Sequence, residues 1–565
     1  MSDYILNVSI AYAMGIARLC VSFEKHGVWD ELSIVGYMKK GKEDKTMLVE
    51  LNAFNLYELR SKGAVFNEEV STIFKRMFAN KSNEQITVHL KNKLLPFQLE
   101  GVSFLNIKKG RGLLADEMGL GKTMQTIGLL SAVPKRYLPV VVLCPAHIKL
   151  NWADELEEWW TDAKVEVLFG VKPYQLSSKT NVIVLNQHIL KGWISELLAL
   201  KPKLLVIDEG QSFVSKSTKT YTVVETLARN IGRTTILTGT PLVNKPDDLW
   251  GLCNLINPNI LGGYTHFIHR FCPSKAFDYK QVRRFQKKTN VWGKPVEEPK
   301  EEEPDATDAD KRLLHNILVR TCMLRRLKVN VAPQLPKKFR KVIRIKVEDR
   351  KFWKAQKELE SKIRESLRSK GMKGIIDMRS YSRMRQIVGE AKLDHICEWL
   401  DEWTEANPDK KIVITGWHKD VLYKLHEKYP DSYIVTGDVS TAKKHAISKA
   451  FNAKGGHKKL FGNIKSIGTG IKLVGAATMV NVELPFTGAD LEQVEARIDR
   501  LSQMAKKLYY IYFIVADSLE EKLLNYISRK QRMAGKILDN KEVVALEDIV
   551  SDAPNTELLK GLLLS

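Results

Sequence analysis

One stretch of the chain combines residue types and spacing suited to phosphate chemistry, Leu113-Leu-Ala-Asp-Glu-Met-Gly-Leu-Gly-Lys-Thr123. An apolar strand end runs into a glycine turn that closes on Gly121, Lys122 and Thr123. Gly119 and Gly121 lack the Cβ atoms that would hold backbone N–H groups away from a polyphosphate. The run that follows can open a helix whose positive end faces the phosphates. In that geometry Lys122 reaches the β- and γ-phosphates and the Thr123 hydroxyl holds Mg²⁺. The candidate cradle is Met118, Gly119, Leu120, Gly121, Lys122 and Thr123, and the implied cofactors are ATP and Mg²⁺. The strict pattern for such loops has glycine where Asp116 stands, so the competing reading is a plain glycine turn between strand and helix.

Other residues extend this chemistry. Leu204-Leu-Val-Ile-Asp-Glu209 ends an apolar run in two carboxylates. Adjacent acids repel and a divalent cation relieves the repulsion, so Asp208 can hold Mg²⁺ while Glu209 polarises an attacking water. Alone, the pair reads equally well as a solvated turn. Thr238-Gly-Thr-Pro241 ends a later apolar run, where hydroxyls can sense the nucleotide. Upstream, the Gln98 amide has the two-bond complementarity that glutamine shows toward adenine. Far downstream, Gln493-Val-Glu-Ala-Arg-Ile-Asp-Arg500 puts Arg497 and Arg500 at i, i+3, one face of a helix. Two guanidinium groups presented to the nucleotide would stabilise charge on the transferring phosphoryl group; surface salt bridging is the alternative for any such pair. Trp152, Trp159 and Trp160 read as the apolar face of a helix rather than as base-stacking platforms.

These residues need a scaffold, and the hydrophobic pattern supplies one. From residue 89 short apolar strands alternate with helical stretches: Gly112 to Ala115, Val140 to Cys144, Val182 to Leu185, Leu204 to Ile207 and Thr235 to Leu237. This is the signature of a parallel sheet covered on both faces, with ligands at the carboxyl ends of its strands. A second such unit has strands near Ile412 to Ile414, Tyr433 to Val435, Leu460 to Phe461, Met479 to Val482 and Tyr509 to Val515, and no phosphate cradle of its own. Ahead of both, β-like alternation at Leu32 to Tyr37 and Met47 to Leu51 flanks a polar turn at Lys39 to Lys45 and suggests a small accessory domain with a packing role. Residues 294 to 310 are acidic and contain proline without apolar period, which reads as a linker.

With 565 residues, 44% hydrophobic and 27% charged, the chain is globular and long enough for several cores. Its 89 Lys and Arg against 66 Asp and Glu leave +23, which favours an anionic polymer as partner. Lys337 to Lys392 alone holds 19 basic and 7 acidic residues, about half of that excess, and reads as a phosphate-contacting segment whose helical stripe (Phe352, Leu359, Ile363, Leu367) packs inward. The N-terminus lacks a basic region, and Asn7 and Arg18 interrupt its apolar run, so neither a signal peptide nor a membrane association is expected. Six scattered cysteines with no C-x-x-C and twelve histidines without ligand spacing point to reduced intracellular thiols and no structural metal.

Taken together, the motifs resemble superfamily II helicase-related ATPases, specifically SWI/SNF-type DNA translocases. The matching pieces run in family order from about residue 90 to 540: Asp116 to Thr123; Cys144-Pro145 with Asn151-Trp152 and Glu155; Asp208-Glu209; Leu237 to Asn244; Met323-Leu-Arg-Arg-Leu-Lys328 with Leu335-Pro336; Gly468-Thr-Gly470; and Gln493 to Gln503. Asp116 is that family's own form of the loop. Arg385 to Leu393 and Ile527 to Asp539 are similar to the distant branch that contains the annealing helicases. Two residues depart from the family: Gln211 stands where histidine is usual, able to hydrogen-bond to Thr238 or Thr240 but not to protonate, and Asp499 likewise replaces a common histidine.

The resemblance implies an α/β fold of two RecA-like parallel-sheet lobes with helical insertions and a small N-terminal accessory domain. The expected division is 1–88 accessory domain, 89–265 first, ATP-binding lobe, 266–392 helical insertions with acidic linker and basic segment, 393–516 second lobe, and 517–565 brace helix and tail. It implies a DNA-dependent ATPase translocating on double-stranded DNA, remodelling DNA structures or protein–DNA complexes, with strand annealing or fork remodelling among its activities. Lys122, Glu209, Gln493, Arg497 and Arg500 would be catalytic, Thr123 and Asp208 metal-binding, Gln211 and Thr238 coupling residues. DNA would meet Lys149 in the Pro145 to Lys149 loop, Thr240, and Ser466 and Thr469 in the Ser466 to Gly470 loop, while Ser518 to Leu538 would pack on the first lobe. The partner is duplex or branched DNA, the protein a monomer, its location intracellular and DNA-associated. The alternatives are a strand-separating DNA or RNA helicase and a DNA-binding scaffold with a decayed ATPase.

Overall fold

The computed structural model describes residues 6–13, 16–23, 39–40, 46–78, 86–243, 245–273, 306–332, 335–370, 378–468, 471–500 and 502–541. The alternation at Leu32 to Tyr37, Asn244, Thr469, and the acidic stretch as far as residue 305 lie outside them. The chain forms two compact units: Met1–Glu117 with Gly121–Leu327 and Lys536–Lys541, and Met118–Leu120 with Lys328–Gly535 and Glu542–Ser565. No described helix is long and apolar enough to cross a membrane.

The first unit begins with five strands, β1 (Leu6–Ala13), β2 (Ile16–Phe23), β3 (Lys39–Lys40), β4 (Thr46–Glu50) and β5 (Val65–Phe66), in the order β3-β4-β2-β1-β5. Leu6, Val8, Leu19, Val21, Met47 and Val49 point to a core shared with helices Ala53–Ser61 and Glu68–Met77. Asn7 and Arg18 fall on the other parity of the pleat, so the residues that interrupt the N-terminal apolar run mark the outward face of a hairpin. The small sheet is tied down: Ala53 N donates to Asn259 O at 2.7 Å, Gly263 N to Glu50 Oε2 at 3.1 Å, and Phe54 packs edge-on against Phe271 beneath the Arg270 guanidinium.

The main sheet of this unit contains β6 (Gly112–Leu114), β7 (Val140–Leu143), β8 (Val165–Val167), β9 (Val182–Leu185), β10 (Leu204–Asp208), β11 (Thr234–Leu237) and β12 (Met323–Leu324). All are parallel, in the order β12-β6-β11-β10-β7-β9-β8. Every residue of β6, β7, β9 and β11 is buried, as two-sided cover by helices requires. The edge strands β8 and β12 were not expected from the sequence; at three and two residues they are too short for a period.

The second unit has its own parallel sheet: β13 (Lys337–Ile345), β14 (Ile412–Gly416), β15 (Ser432–Val435), β16 (Lys459–Asn463), β17 (Thr478–Asn481) and β18 (Lys507–Val515), ordered β13-β18-β17-β14-β16-β15. Alternate residues of β14 enter different cores, Val413 on one face and Ile412 and Ile414 on the other. β13 opens the basic segment, where sequence pattern suggested phosphate contacts, and its cations suit a sheet edge. Nine residues pair in register with β18, from Lys337 opposite Lys507 to Ile345 opposite Val515. The expected stripe does begin inward, with Phe352 buried in helix Arg350–Lys370; the side chains of Ile363 and Leu367 lie outside the described residues. Of the segment Ser518 to Leu538, helix Leu519–Ala534 counts with the second unit, and Lys536–Lys541 with the first. All six cysteines are thiols outside any disulfide, five of them buried.

Candidate nucleotide and phosphoryl-transfer site

The register of the first main sheet brings the motifs together. Leu114, Leu237 and Asp208 lie side by side on β6, β11 and β10, so three neighbouring strands end at one level. The glycine loop follows β6, Glu209 follows β10 and Thr238 follows β11.

Helix Lys122–Ala132 starts from Gly121, whose φ of +74° is left-handed, and no side chain of the described residues caps it. Its first amides therefore face the loop as donors for an anion. A Cβ at Gly121 would run into the Gln98 amide, which sets Gln98 against the cradle. Gln98 is buried at the start of helix Pro96–Ile107, and its Oε1 accepts from Leu95 N at 2.9 Å. A two-bond reading of an adenine edge would share that oxygen. Lys122 Nζ donates to Asp116 O at 2.8 Å. Burial lowers the Lys122 pKa, against the pull of Asp116, Glu209 and Asp208.

Asp116, the residue in glycine's place, is fully buried and accepts from Arg326 Nη2 at 2.6 Å, Arg326 Nε at 3.0 Å and Gln125 Nε2 at 3.0 Å. The carboxylate fastens the loop to the strand beside it, because β12 carries Arg325 and Arg326 just past its end. Arg325 Nη1 donates to Ala115 O at 3.0 Å and Gly239 O at 3.2 Å. Sequence spacing assigned neither arginine a role; the adjacent pair in Met323 to Lys328 was the available signal.

Burial and the neighbouring Glu209 push the Asp208 pKa up to about 6, against hydrogen bonds from Trp152 and Glu209 N and the charge of Lys122. Trp152 Nε1 donates to Asp208 Oδ2 at 2.8 Å, giving a core tryptophan a second, orienting task. Trp159, at the end of helix Lys149–Trp159, is half-buried, and Trp160, extended just past it, is buried. Glu209 has φ +51°, an uncommon value for a residue with a side chain, which turns it out of the strand. Gln211 Nε2 donates to Glu209 Oε2 at 2.6 Å, Thr238 Oγ1 donates to Gln211 Oε1 at 2.6 Å, and Thr240 N donates to Thr238 Oγ1 at 3.1 Å. A relay thus runs from Glu209 to Thr240, with the Gln211 amide giving at one end and accepting at the other. Two crowded carboxylates, a helix-terminal hydroxyl at Thr123 and a left-handed glycine cradle fit a Mg²⁺-nucleotide.

In the second unit helix Gly488–Glu495 ends before Arg497, so Arg497 and Arg500 lie on a turn and not on one helical face. The Arg497 Nε donates to Gln493 O at 3.0 Å. The turn is held by its acids. Asp499 is buried and takes Lys328 at 2.6 Å and Lys338 at 2.7 Å. Glu495 takes Arg340 Nε at 3.1 Å as well as Arg340 Nη2 and the Tyr512 hydroxyl. Lys338 and Arg340 share one face of β13, and the register sets Tyr510 opposite Arg340.

Residues 77–397 match the SNF2-related domain and residues 391–502 the helicase conserved C-terminal domain. The chain belongs to the SNF2-related family. It is 25% identical over 477 residues to the DNA annealing helicase and endonuclease ZRANB3 of Homo sapiens, covering 81% of this chain and 42% of that protein. It is 25% identical over 475 residues to the SWI/SNF-related matrix-associated actin-dependent regulator of chromatin subfamily A-like protein 1 of Xenopus tropicalis, covering 82% and 47%. The chain thus spans less than half the length of these relatives. A solved structure titled as the Sulfolobus solfataricus SWI2/SNF2 ATPase core in complex with dsDNA aligns with 22% identity and TM-score 0.38, covering 81% of this chain and 96% of that one.

Within this SNF2-related chain, the two departures from family pattern are both engaged. Gln211 links Glu209 to Thr238, and Asp499 is an anchor for two lysines. The residues expected at DNA are differently placed. Lys149 is buried, its ammonium donating to Leu168 O at 2.7 Å and lying over the Phe169 ring, so it is not presented to solvent. Thr240 is buried, and its hydroxyl has no hydrogen-bond partner among the described residues. Ser466 is buried in the one-turn helix Ile464–Ile467, and Thr469 lies outside the described residues.

Proposed function

We propose that the chain is an ATP-driven translocase on double-stranded DNA, remodelling DNA structures or protein–DNA complexes, with fork remodelling or strand annealing within its range. The observation that carries this reading is the grouping of Lys122, Asp208, Glu209, Gln211 and Thr238 at the ends of three adjacent strands, in a chain whose second unit carries an anchored arginine turn. The grouping suits phosphoryl transfer, and the second sheet has the arginines but no cradle. In this reading Thr123 and Asp208 hold Mg²⁺, which would neutralise charge on the β- and γ-phosphate oxygens. Lys122 leaves the Asp116 carbonyl for the phosphates, Glu209 orients the attacking water, and Gln211 passes the state of Glu209 to Thr238 and Thr240. Gln493, Arg497 and Arg500 serve the transferred phosphoryl group. The protein acts as a monomer on duplex or branched DNA inside the cell.

The deciding experiment compares ATP turnover with single-stranded, duplex and branched DNA, then displacement of a triplex strand with separation of a duplex. Duplex-stimulated turnover with triplex displacement alone is expected. Duplex separation would instead make the chain a strand-separating helicase, and absence of turnover would leave a DNA-binding scaffold. Because phosphate contacts dominate such binding, duplex affinity should fall steeply as salt rises.

A further inference from the structure

The residues after helix Leu519–Ala534 change both conformation and company. Gly535–Asp539 forms a single π-helical turn, and such turns are frequent at functional sites. Ile537 and Leu538 are buried, His315 Nδ1 lies 3.0 Å from Ile537 O, and Lys536 Nζ reaches Asp308 at 3.1 Å. The segment ends on Asp539, whose carboxylate takes Arg325 in two places, Nε to Oδ1 at 2.7 Å and Nη2 to Oδ2 at 3.2 Å. Both side chains are nearly buried, at 11% and 12% exposure.

A guanidinium is planar and rigid, so a carboxylate gripping one edge fixes where the remaining nitrogen points. Here that nitrogen, Nη1, donates to Ala115 O and Gly239 O. Ala115 immediately precedes Asp116 of the phosphate loop, and Gly239 lies between the two threonines of the relay. One buried cation therefore spans the loop that grips phosphate and the turn that ends the Glu209 relay. We infer that Asp539 is a positioning residue for nucleotide hydrolysis: by orienting Arg325 it holds the phosphate loop and the Thr238 to Thr240 turn at their working separation. The segment is the covalent continuation of helix Leu519–Ala534. This role rests on the ATPase reading above.

The test uses the full chain, with duplex DNA, ATP and a fluorescent ATP analogue. Asp539→Asn retains shape and loses the charge and the second acceptor. It should lower DNA-stimulated kcat about tenfold, the scale of a small misplacement of reacting groups, with KM for ATP, analogue affinity and thermal midpoint close to wild type. Asp539→Glu, which keeps the carboxylate, should restore most of the rate. Lys536→Ala, which loosens the same segment without touching Arg325, should stay within about twofold, because its partner is an exposed carboxylate. Turnover of Asp539→Asn within twofold of an active wild type would overturn the positioning role and leave the ATPase reading intact. So would a parallel fall of rate, affinity and midpoint in both Asp539 variants, which marks a merely structural ion pair. Wild-type protein without turnover would remove both.

Discussion

The candidate site of the first unit and the arginine turn of the second hold their polar residues in opposite ways. In the first, polar groups are strung into a relay. Glu209, Gln211, Thr238 and Thr240 each pass a hydrogen bond onward, so a change at one end alters donors at the other. In the second, charges are locked in pairs. Lys328 and Lys338 close on Asp499, Arg340 on Glu495, Arg344 on Glu521 and Lys392 on Glu520. Four of these five cations belong to the basic segment Lys337 to Lys392, as does Arg385, which is buried against Phe486 and Trp417. Positive charge that composition assigns to a polyanion partner thus serves partly to brace a turn. A relay transmits a change along its length, whereas a set of ion pairs holds a turn in place.

The contrast is broken most forcefully at its two cationic centres. Lys122→Ala should cut DNA-stimulated turnover roughly a thousandfold and weaken nucleotide binding. Arg500→Ala should cut turnover by a similar factor, roughly a thousandfold, with nucleotide affinity retained. Equal loss of affinity in both variants, measured with a fluorescent nucleotide, would erase the distinction between holding phosphate and stabilising its transfer.

The bracing of the second unit is tested by stability. Arg340→Met strands the buried Glu495 carboxylate and should cost about 3 to 5 kcal/mol, with Arg340→Met/Glu495→Leu recovering most of it. Denaturant titration of the full chain reads both; a single variant as stable as wild type would show that the pair does not brace the turn. Burial alone would raise the Glu495 pKa, but Arg340, Lys338 and the Tyr512 hydroxyl outweigh it and hold it below the usual glutamate range. Its folded value lies below the unfolded one, so its contribution is complete above the ordinary glutamate pKa and is lost as pH falls through the lowered value. Asp499, held down by Lys338 and Lys328 against its own burial, adds in the same direction. The stability deficit of Arg340→Met should therefore shrink as pH falls through the glutamate range.

The smallest effect sharpens the first site. Trp152→Phe keeps the apolar packing and removes only the hydrogen bond that orients Asp208. The Mg²⁺ concentration for half-maximal turnover should rise about tenfold, as loss of an outer-shell partner does elsewhere. An unchanged requirement would reduce Trp152 to core packing.

Much of this was legible in the sequence because it depends on local pattern. Strands β6, β7, β9, β10 and β11 are short apolar runs, and the glycines, Lys122, Asp208 and Glu209 follow them at spacings that a parallel sheet converts into proximity. The hairpin of β1 and β2 was obscured because its outward polar residues look like interruptions, and β13 because its alternate basic residues resemble a solvated face. The resemblance set Lys149 at DNA in the Pro145 to Lys149 loop, yet Leu168 and Phe169, some twenty positions on, cover it.

The sequence by itself determined the two parallel sheets, the glycine loop between strand and helix, the paired carboxylates and the family, since these rest on period, order and residue type. Only the tertiary structure decided what Asp116, Trp152, Arg325, Arg326, Asp499 and Asp539 do. Each acts through a partner between 50 and more than 200 positions away, as with Trp152 and Asp208 at 56, Lys328 and Asp499 at 171, Arg326 and Asp116 at 210 and Arg325 and Asp539 at 214. A charged side chain has no intrinsic assignment to solvent, ligand or ion pair. The packed chain makes that assignment by determining which opposite charge can reach it and how much water is left between them.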